Sequence, residues 1–318
     1  MRLTLLAAAL FGAAPAFAFT LAQPVGCTLG EECYIQHFVD RDPGPGVADH
    51  ACGNASYDAH DGTDFALPTM AAMRAGVPVL AAAPGRIRAV RDGEPDGAAL
   101  AGQDVAGKEC GNGVVIDHPD GWQTQYCHLR AGSVQVRPGE TVAAGAPLGQ
   151  IGASGLADFP HLHLTLRHNG APVDPFRPVP GEACSAATGP GLWQTALPYA
   201  PAGLLGTGFT ETPPSFAEVK DGLPAPTSLP TSAKSLVLWA YFWGTDAGDQ
   251  LELEISGPAG FRVSQRVTLE KSQQLAYRYA GKRAPGGGFA PGLYRAEVRL
   301  TRDGAPLGTR RATLTLTP

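Results

Sequence analysis

The 318-residue chain exceeds one average domain and holds 17% charged residues with a formal charge of −5, so two domains with sizeable cores are expected. Five lysines and no basic cluster argue against a nucleic-acid partner. Abundant glycine and proline, 41 and 29 residues, without sustained helical periodicity favour short strands joined by turns, a mainly β fold.

Residues 1–18 read as an export signal peptide. Arg2 opens it, Leu3 to Ala14 form an apolar run, and Ala16-Phe17-Ala18 supplies a small-x-small cleavage site. The run is too short to span a bilayer comfortably. The mature protein is expected to begin at Phe19, with no membrane span, in a periplasmic or secreted location. Six cysteines suit that compartment. Of the fifteen connectivities they allow, the one expected is Cys27–Cys33, Cys110–Cys127 and Cys52–Cys184.

Residues 19–56 are polar, turn-rich and disulfide-bearing, and read as an irregular N-terminal segment in which His37 and His50 are ordinary exposed histidines. In His60-Asp61-Gly62-Thr63-Asp64, a glycine turn leads into the β-prone Phe65, so the His60 and Asp64 side chains can converge on one point, and both are good zinc ligands. Alone, the motif reads equally as a surface turn. Pro78 to Val90 suggests two short strands with a Pro84-Gly85 turn, and residues 91–109 a loop. Gly113–His118 and Trp122–Leu129 form a hairpin around Pro119-Asp120-Gly121. On its second strand Thr124, Tyr126 and His128 are expected on one face, with Cys127 on the other. Val136–Val142 and Pro147–Gly152 suggest another hairpin, similar to the turn of lipoyl or biotinyl carrier domains, but no lysine lies between residues 111 and 175 to carry such a group. In Pro160-His161-Leu162-His163-Leu164, alternation puts both imidazoles on one face of a strand, with the leucines packed behind.

Residues 185–204 read as a Gly/Pro/Ala-rich linker. Regularly spaced strands follow in 205–318 (Ser235–Phe242, Gln250–Ile255, Phe261–Leu269, Gln274–Tyr279, Gly292–Leu300, Thr309–Leu316), which suggests an immunoglobulin-like sandwich. It has no His or Cys and is expected to act as a spacer or as a module that binds another molecule.

Taken in order, His60-x-Gly62-x-Asp64, Gly111-Asn112, Gly121-x-x-Thr124-x-Tyr126-x-His128-Leu129 and His161-Leu162-His163 resemble the lysostaphin-like, or LytM-type, zinc endopeptidases. The resemblance covers about residues 57–176, closes at Val173-Asp174-Pro175, and implies an antiparallel β peptidase domain over 57–184. It implies that His60, Asp64 and His163 bind Zn²⁺ and leave a fourth position for water, with His128 and His161 unligated beside it as general base and oxyanion or leaving-group partner. The substrate implied is the peptide part of peptidoglycan, cut through a metal-activated water. The chain departs from the family at Thr165, where many members carry Glu, and in the length of the 91–109 loop. Two other functions fit the same motifs: a non-catalytic relative that activates a cell-wall amidase, and a wall-binding protein whose metal is structural. A fourth ligand from residues 19–59, for instance Asn54 or His50, would close the site and make a latent enzyme.

Overall fold

The computed structural model describes residues 19–179, 181, 183–185 and 189–318; the signal peptide read in 1–18 lies outside the described residues. Strands β1 (Tyr34–His37) and β2 (Thr63–Ala66) precede helix α1 (Met70–Ala75), β3 (Pro78–Leu80) and β4 (Gly85–Arg91). They are followed by β5 (Asn112–Asp117), β6 (Trp122–Leu129), β7 (Thr141–Val142), β8 (Pro147–Gln150), β9 (His161–His168) and β10 (Ala171–Pro172). The main sheet is antiparallel and runs β1-β2-β9-β6-β5-β4-β7, with β10 on β9, so the strand carrying His161 and His163 sits between β2 and β6. Alternation along β9 sends Leu162, Leu164 and Leu166 into the core and leaves the histidines on the opposite face.

The β5–β6 hairpin turns at Pro119–Gly121 as expected. The segments around β7 and β8 do not form a hairpin with each other: β7 pairs with β4, and β8 pairs with β3 in a separate two-stranded sheet. Each of these short strands, of two and four residues, is paired instead with a strand earlier in the chain.

Residues 19–56 are not an irregular covering. β1 extends the main sheet by pairing with β2, and Leu21, Val25, Ile35, Phe38 and Ala55 are buried in the same core as β9. The expected linker is likewise packed: Trp193 is 3% exposed in that core, with Leu192, Leu197 and Tyr199 against it. All three expected disulfides are present. Cys52–Cys184 ties the N-terminal segment to the chain beyond β10, and Cys110–Cys127 ties the 91–109 loop to β6.

His50 corrects another expectation. Its ring is 2% exposed and stacks 4.5 Å from Phe176, with Phe38 and Tyr199 at its edges, and Nδ1 has no hydrogen-bond partner among the described residues. Burial pushes its imidazole down to about 4. The unfolded chain therefore takes up this proton first, so stability holds above about pH 6.5 and falls as pH drops toward 4, by up to about 3 kcal/mol in all. Chemical denaturation at pH 7 and pH 4.5 should show a smaller loss in His50→Phe than in the wild type; equal losses would remove His50 as the cause.

The second domain contains β11 (Gly203–Thr210), α2 (Phe216–Asp221), β12 (Ser228–Pro230), β13 (Ser235–Thr245), β14 (Gln250–Ser256), β15 (Arg262–Thr268), β16 (Gln273–Arg283), β17 (Gly292–Arg302) and β18 (Ala305–Thr317). Sheets β11-β13-β16 and β12-β18-β17-β14-β15 face each other across Leu236, Leu238, Phe242, Leu253, Val298 and Leu314, a two-sheet sandwich. β13 is buried almost throughout because its other face is covered too. Trp239 and Tyr241 lie under α2, and Trp243 packs on Tyr34 and Ala66 of the first domain. No helix among the described residues is long and apolar enough to cross a membrane.

Candidate metal centre

Strand register assembles the site. His37 of β1 lies opposite Asp64 of β2, Asp64 opposite His163 of β9, and His163 opposite Cys127 of β6. Residues paired across strands share a face, so three of these side chains form one row, and His161 joins them two residues along β9. His60 reaches the row from the turn before β2. That turn needs Gly62, because a Cβ there would stand 2.5 Å from His163 Nε2. The glycine in the His-x-Gly-x-Asp motif is therefore the space that the second histidine occupies.

Three acceptor atoms converge. Asp64 Oδ1 is 3.2 Å from His60 Nε2 and 2.9 Å from His163 Nδ1, and the two nitrogens are 3.1 Å apart. A tetrahedral zinc with bonds of about 2.05 Å has ligand edges of about 3.3 Å, so the donor set fits such an ion. Hydrogen bonds behind the ligands orient them. His60 Nδ1–H donates to the Phe38 carbonyl at 2.7 Å, which leaves Nε2 bare. His163 Nε2 lies 3.0 Å from Thr165 Oγ1 and 3.2 Å from Asp61 Oδ1, so the proton sits there and Nδ1 faces the centre. Asp61 and Thr165 thus stand together behind His163.

Burial pushes the Asp64 carboxyl up, but His60 and His161, with hydrogen bonds from His163 and His37, hold it well below the usual carboxylate range. Burial also lowers His163, but Asp61 and Asp64 outweigh it and push that imidazole up to about 9. A proton can therefore stand in for a cation at the centre, and a metal binding there releases it.

His128 and His161 flank the three acceptors. Their ring centroids are 4.5 Å apart. Each spends its Nδ1–H on a backbone carbonyl, His128 on Ser154 at 2.8 Å and His161 on Phe159 at 2.9 Å, so each keeps a bare Nε2. Burial, then His161 and His163, push His128 down to about 3, and burial lowers His161; both rings are neutral at physiological pH. His161 Nε2 is 3.7 Å from Asp64 Oδ1.

Simple alternation misplaces His128. Thr124 and Tyr126 do point into the core, but His128 has φ +64°, and the β5–β6 register slips between Asn112 and Val114. This bulge brings the imidazole onto the face of Cys127 and His163, as bulges do beside functional sites. His37, expected to be exposed, is 5% exposed and lies 3.0 Å from Asp64 Oδ2. No local motif points to it, because its partner is 27 residues away and strand register alone unites them. Neither suggested closing ligand approaches: His50 is held against Phe176, and Asn54 donates to Asp246 of the sandwich at 2.9 Å.

The cleft over the histidines is lined by Tyr57, Asp61, Glu109, Gln125, Leu156 and Arg167. Glu109 brings the long loop to its rim, and the loop braces the segment behind His128 through Gly97 N–H to the Ala153 carbonyl and Leu156 N–H to the Glu109 carbonyl. A larger recess beside Arg41 and Arg177 contains no histidine, so the chemistry, not the size, singles out the cleft.

Residues 58–175, which carry this face, match the sequence model of Peptidase family M23. The chain is 36% identical over 104 residues to the cell division protein DipM of Caulobacter vibrioides, covering 33% of this chain and 15% of that one. It is 32% identical over 118 residues to the peptidoglycan DD-endopeptidase ShyA of Vibrio cholerae, covering 37% and 22%. The chain thus spans less than a quarter of the length of these relatives. Among solved structures, the catalytic domain of a mutant of the prophage-encoded M23 protein EnpA from Enterococcus faecalis is 25% identical, covers 46% of this chain and 92% of that one, and has a TM-score of 0.32.

Proposed function

We propose that the protein is an exported zinc metalloendopeptidase that hydrolyses peptide bonds in peptidoglycan stem peptides or cross-bridges. The observation that carries this reading is the convergence of three potential ligand atoms, His60 Nε2, Asp64 Oδ1 and His163 Nδ1, beside two further histidines, His128 and His161. Two imidazoles and a carboxylate suit zinc better than magnesium or calcium. Held there, zinc supplies a water of pKa about 7 and polarises the scissile carbonyl. His128 and His161 each offer Nε2 as the proton acceptor for that water, and the ring that takes the proton can pass it to the leaving amine. The other ring faces the developing charge. Tyr57, Asp61 and Arg167 line the path of the peptide. Export agrees with the three disulfides and the leader-like N-terminus, and the sandwich, which we read as immunoglobulin-like, serves as a wall-binding or spacer module.

The alternative is a non-catalytic protein that binds the wall or activates an amidase. It lacks support from the site itself, since such a role needs neither bare acceptors nor two oriented bases. Purified peptidoglycan incubated with the mature chain, with the chelated chain and with His60→Ala, followed by mass identification of muropeptides, separates the two. Chelator-sensitive release of peptide-cleaved products supports the enzyme and names its bond; no release from zinc-loaded protein supports the alternative.

A further inference from the structure

We propose that His37 and Gln274 form a positioning relay through which the C-terminal sandwich holds Asp64 in its metal-binding orientation, an inference that rests on reading His60, Asp64 and His163 as the ligand set. Asp64 turns Oδ1 toward His60 and His163, and its other oxygen, Oδ2, toward His37 Nδ1 at 3.0 Å. Asp64 is 1% exposed, so water does not satisfy Oδ2. A carboxylate that ligates through one oxygen is held in place by what bonds the other, and here that is the His37 N–H.

The His37 ring needs its own anchor. Tyr57, His60 and Phe159 meet it at ring-centroid distances of 5.3, 5.8 and 6.0 Å, edge to face, which confines the ring but does not decide which nitrogen faces Asp64. The other nitrogen, Nε2, lies 3.0 Å from Oε1 of Gln274, 237 residues further along the chain on β16. With the amide turned so that its NH₂ group, in place of Oε1, faces the ring, Gln274 donates to Nε2 while Nδ1–H is committed to Asp64. Held from both nitrogens in this way, the ring keeps Nδ1–H on Asp64.

The two domains are docked where this contact is made. Trp243 packs on Tyr34 with ring centroids 4.6 Å apart, and Phe159, Leu205 and Leu275 close the cluster. Leu275 follows Gln274, and Phe159 stacks on His161 at 4.3 Å. Arg74–Asp221 at 2.8 Å and Asn54–Asp246 at 2.9 Å bridge the domains at the rim. The sandwich therefore meets the peptidase sheet directly behind the metal row.

The test is Co²⁺ and Zn²⁺ affinity of the full mature chain, by competition against a chromophoric chelator, with the visible absorption of the Co²⁺ form as a signature of ligand geometry. His37→Leu should weaken binding about 10- to 100-fold and shift the cobalt bands, and His37→Gln, which keeps an N–H donor, should recover part of the loss. Gln274 is exposed on a strand, so Gln274→Ala should fold normally, yet it should weaken binding up to about tenfold and move the same bands. In the His37→Leu background, Gln274→Ala should add less than about twofold, because the two act as one unit. Asn54→Ala, which cuts a rim contact of the same interface, should leave affinity and spectrum unchanged. Tight cobalt binding by the wild type with unshifted His37 and Gln274 variants would overturn the relay alone. Absence of binding by the wild type would overturn the ligand reading and the relay with it.

Discussion

Asp64→Asn should retain the β-sheet circular dichroism of the wild type, lose stoichiometric zinc after dialysis, and lower peptidoglycan hydrolysis by about a thousandfold or more. The substitution keeps the shape of a side chain that is 1% exposed at the centre of the sheet, so packing is undisturbed. What it removes is charge. Four histidines, His37, His60, His161 and His163, surround this carboxylate, and a neutral amide no longer offsets a dication among them. The lost Lewis-acid contribution is several kcal/mol, about a thousandfold in rate at 4 kcal/mol. The metal-free protein should also lose stability, since the proton that His163 holds there is stabilised by Asp61 and Asp64, and removing one partner of a buried ion pair costs about 3–5 kcal/mol. Metal content by atomic emission and denaturant midpoints with and without zinc measure both effects. Full metal content in Asp64→Asn would take Asp64 out of the ligand set.

The parts of the fold and candidate site that were readable in the sequence are local in origin. His161 and His163 share a face because strand alternation requires it, and His60 and Asp64 converge because Gly62 admits a tight turn. Turn residues at 119–121 located the β5–β6 hairpin, and even spacing with alternating apolar residues located most strands of the sandwich. The features that escaped depend on pairings between distant segments. His37 looks like any polar residue in a turn-rich stretch until β1 docks on β2 with His37 opposite Asp64. Residues 19–56 and 189–202 look irregular because they contribute isolated side chains, such as Leu21, Phe38 and Trp193, to a core built elsewhere. β7 and β8 carry a sound hairpin signal, but β7 pairs with β4 on the main sheet and β8 with β3 apart from it. Coupling between the domains was out of reach for the same reason, because nothing around Gln274 points to a histidine 237 residues earlier.

A single backbone angle, φ +64° at His128, breaks the strand alternation, and the consequence bears on catalysis. His161→Ala and His128→Asn should each keep zinc at one equivalent yet lose about 10²- to 10⁴-fold in kcat, the range for removing a general acid or base. Asn is the appropriate replacement at 128 because φ there is +64°, a region that Asn tolerates and that Ala enters at a cost. Neither histidine is among the three converging acceptors, so metal content separates these variants from Asp64→Asn. The hydrogen bonds to Ser154 and Phe159 aim both Nε2 atoms at the centre, and burial lowers both imidazoles, that of His128 to about 3. Protonation of a free imidazole of ordinary pKa, about 6.5, should therefore not set the acid limb of the rate profile. If both rings serve one proton path, the double variant should be little slower than the worse single one, because groups acting as a unit are far from additive. A single variant that retains its zinc and more than about a tenth of wild-type kcat would exclude that histidine from the proton transfer, leaving the other as the sole base.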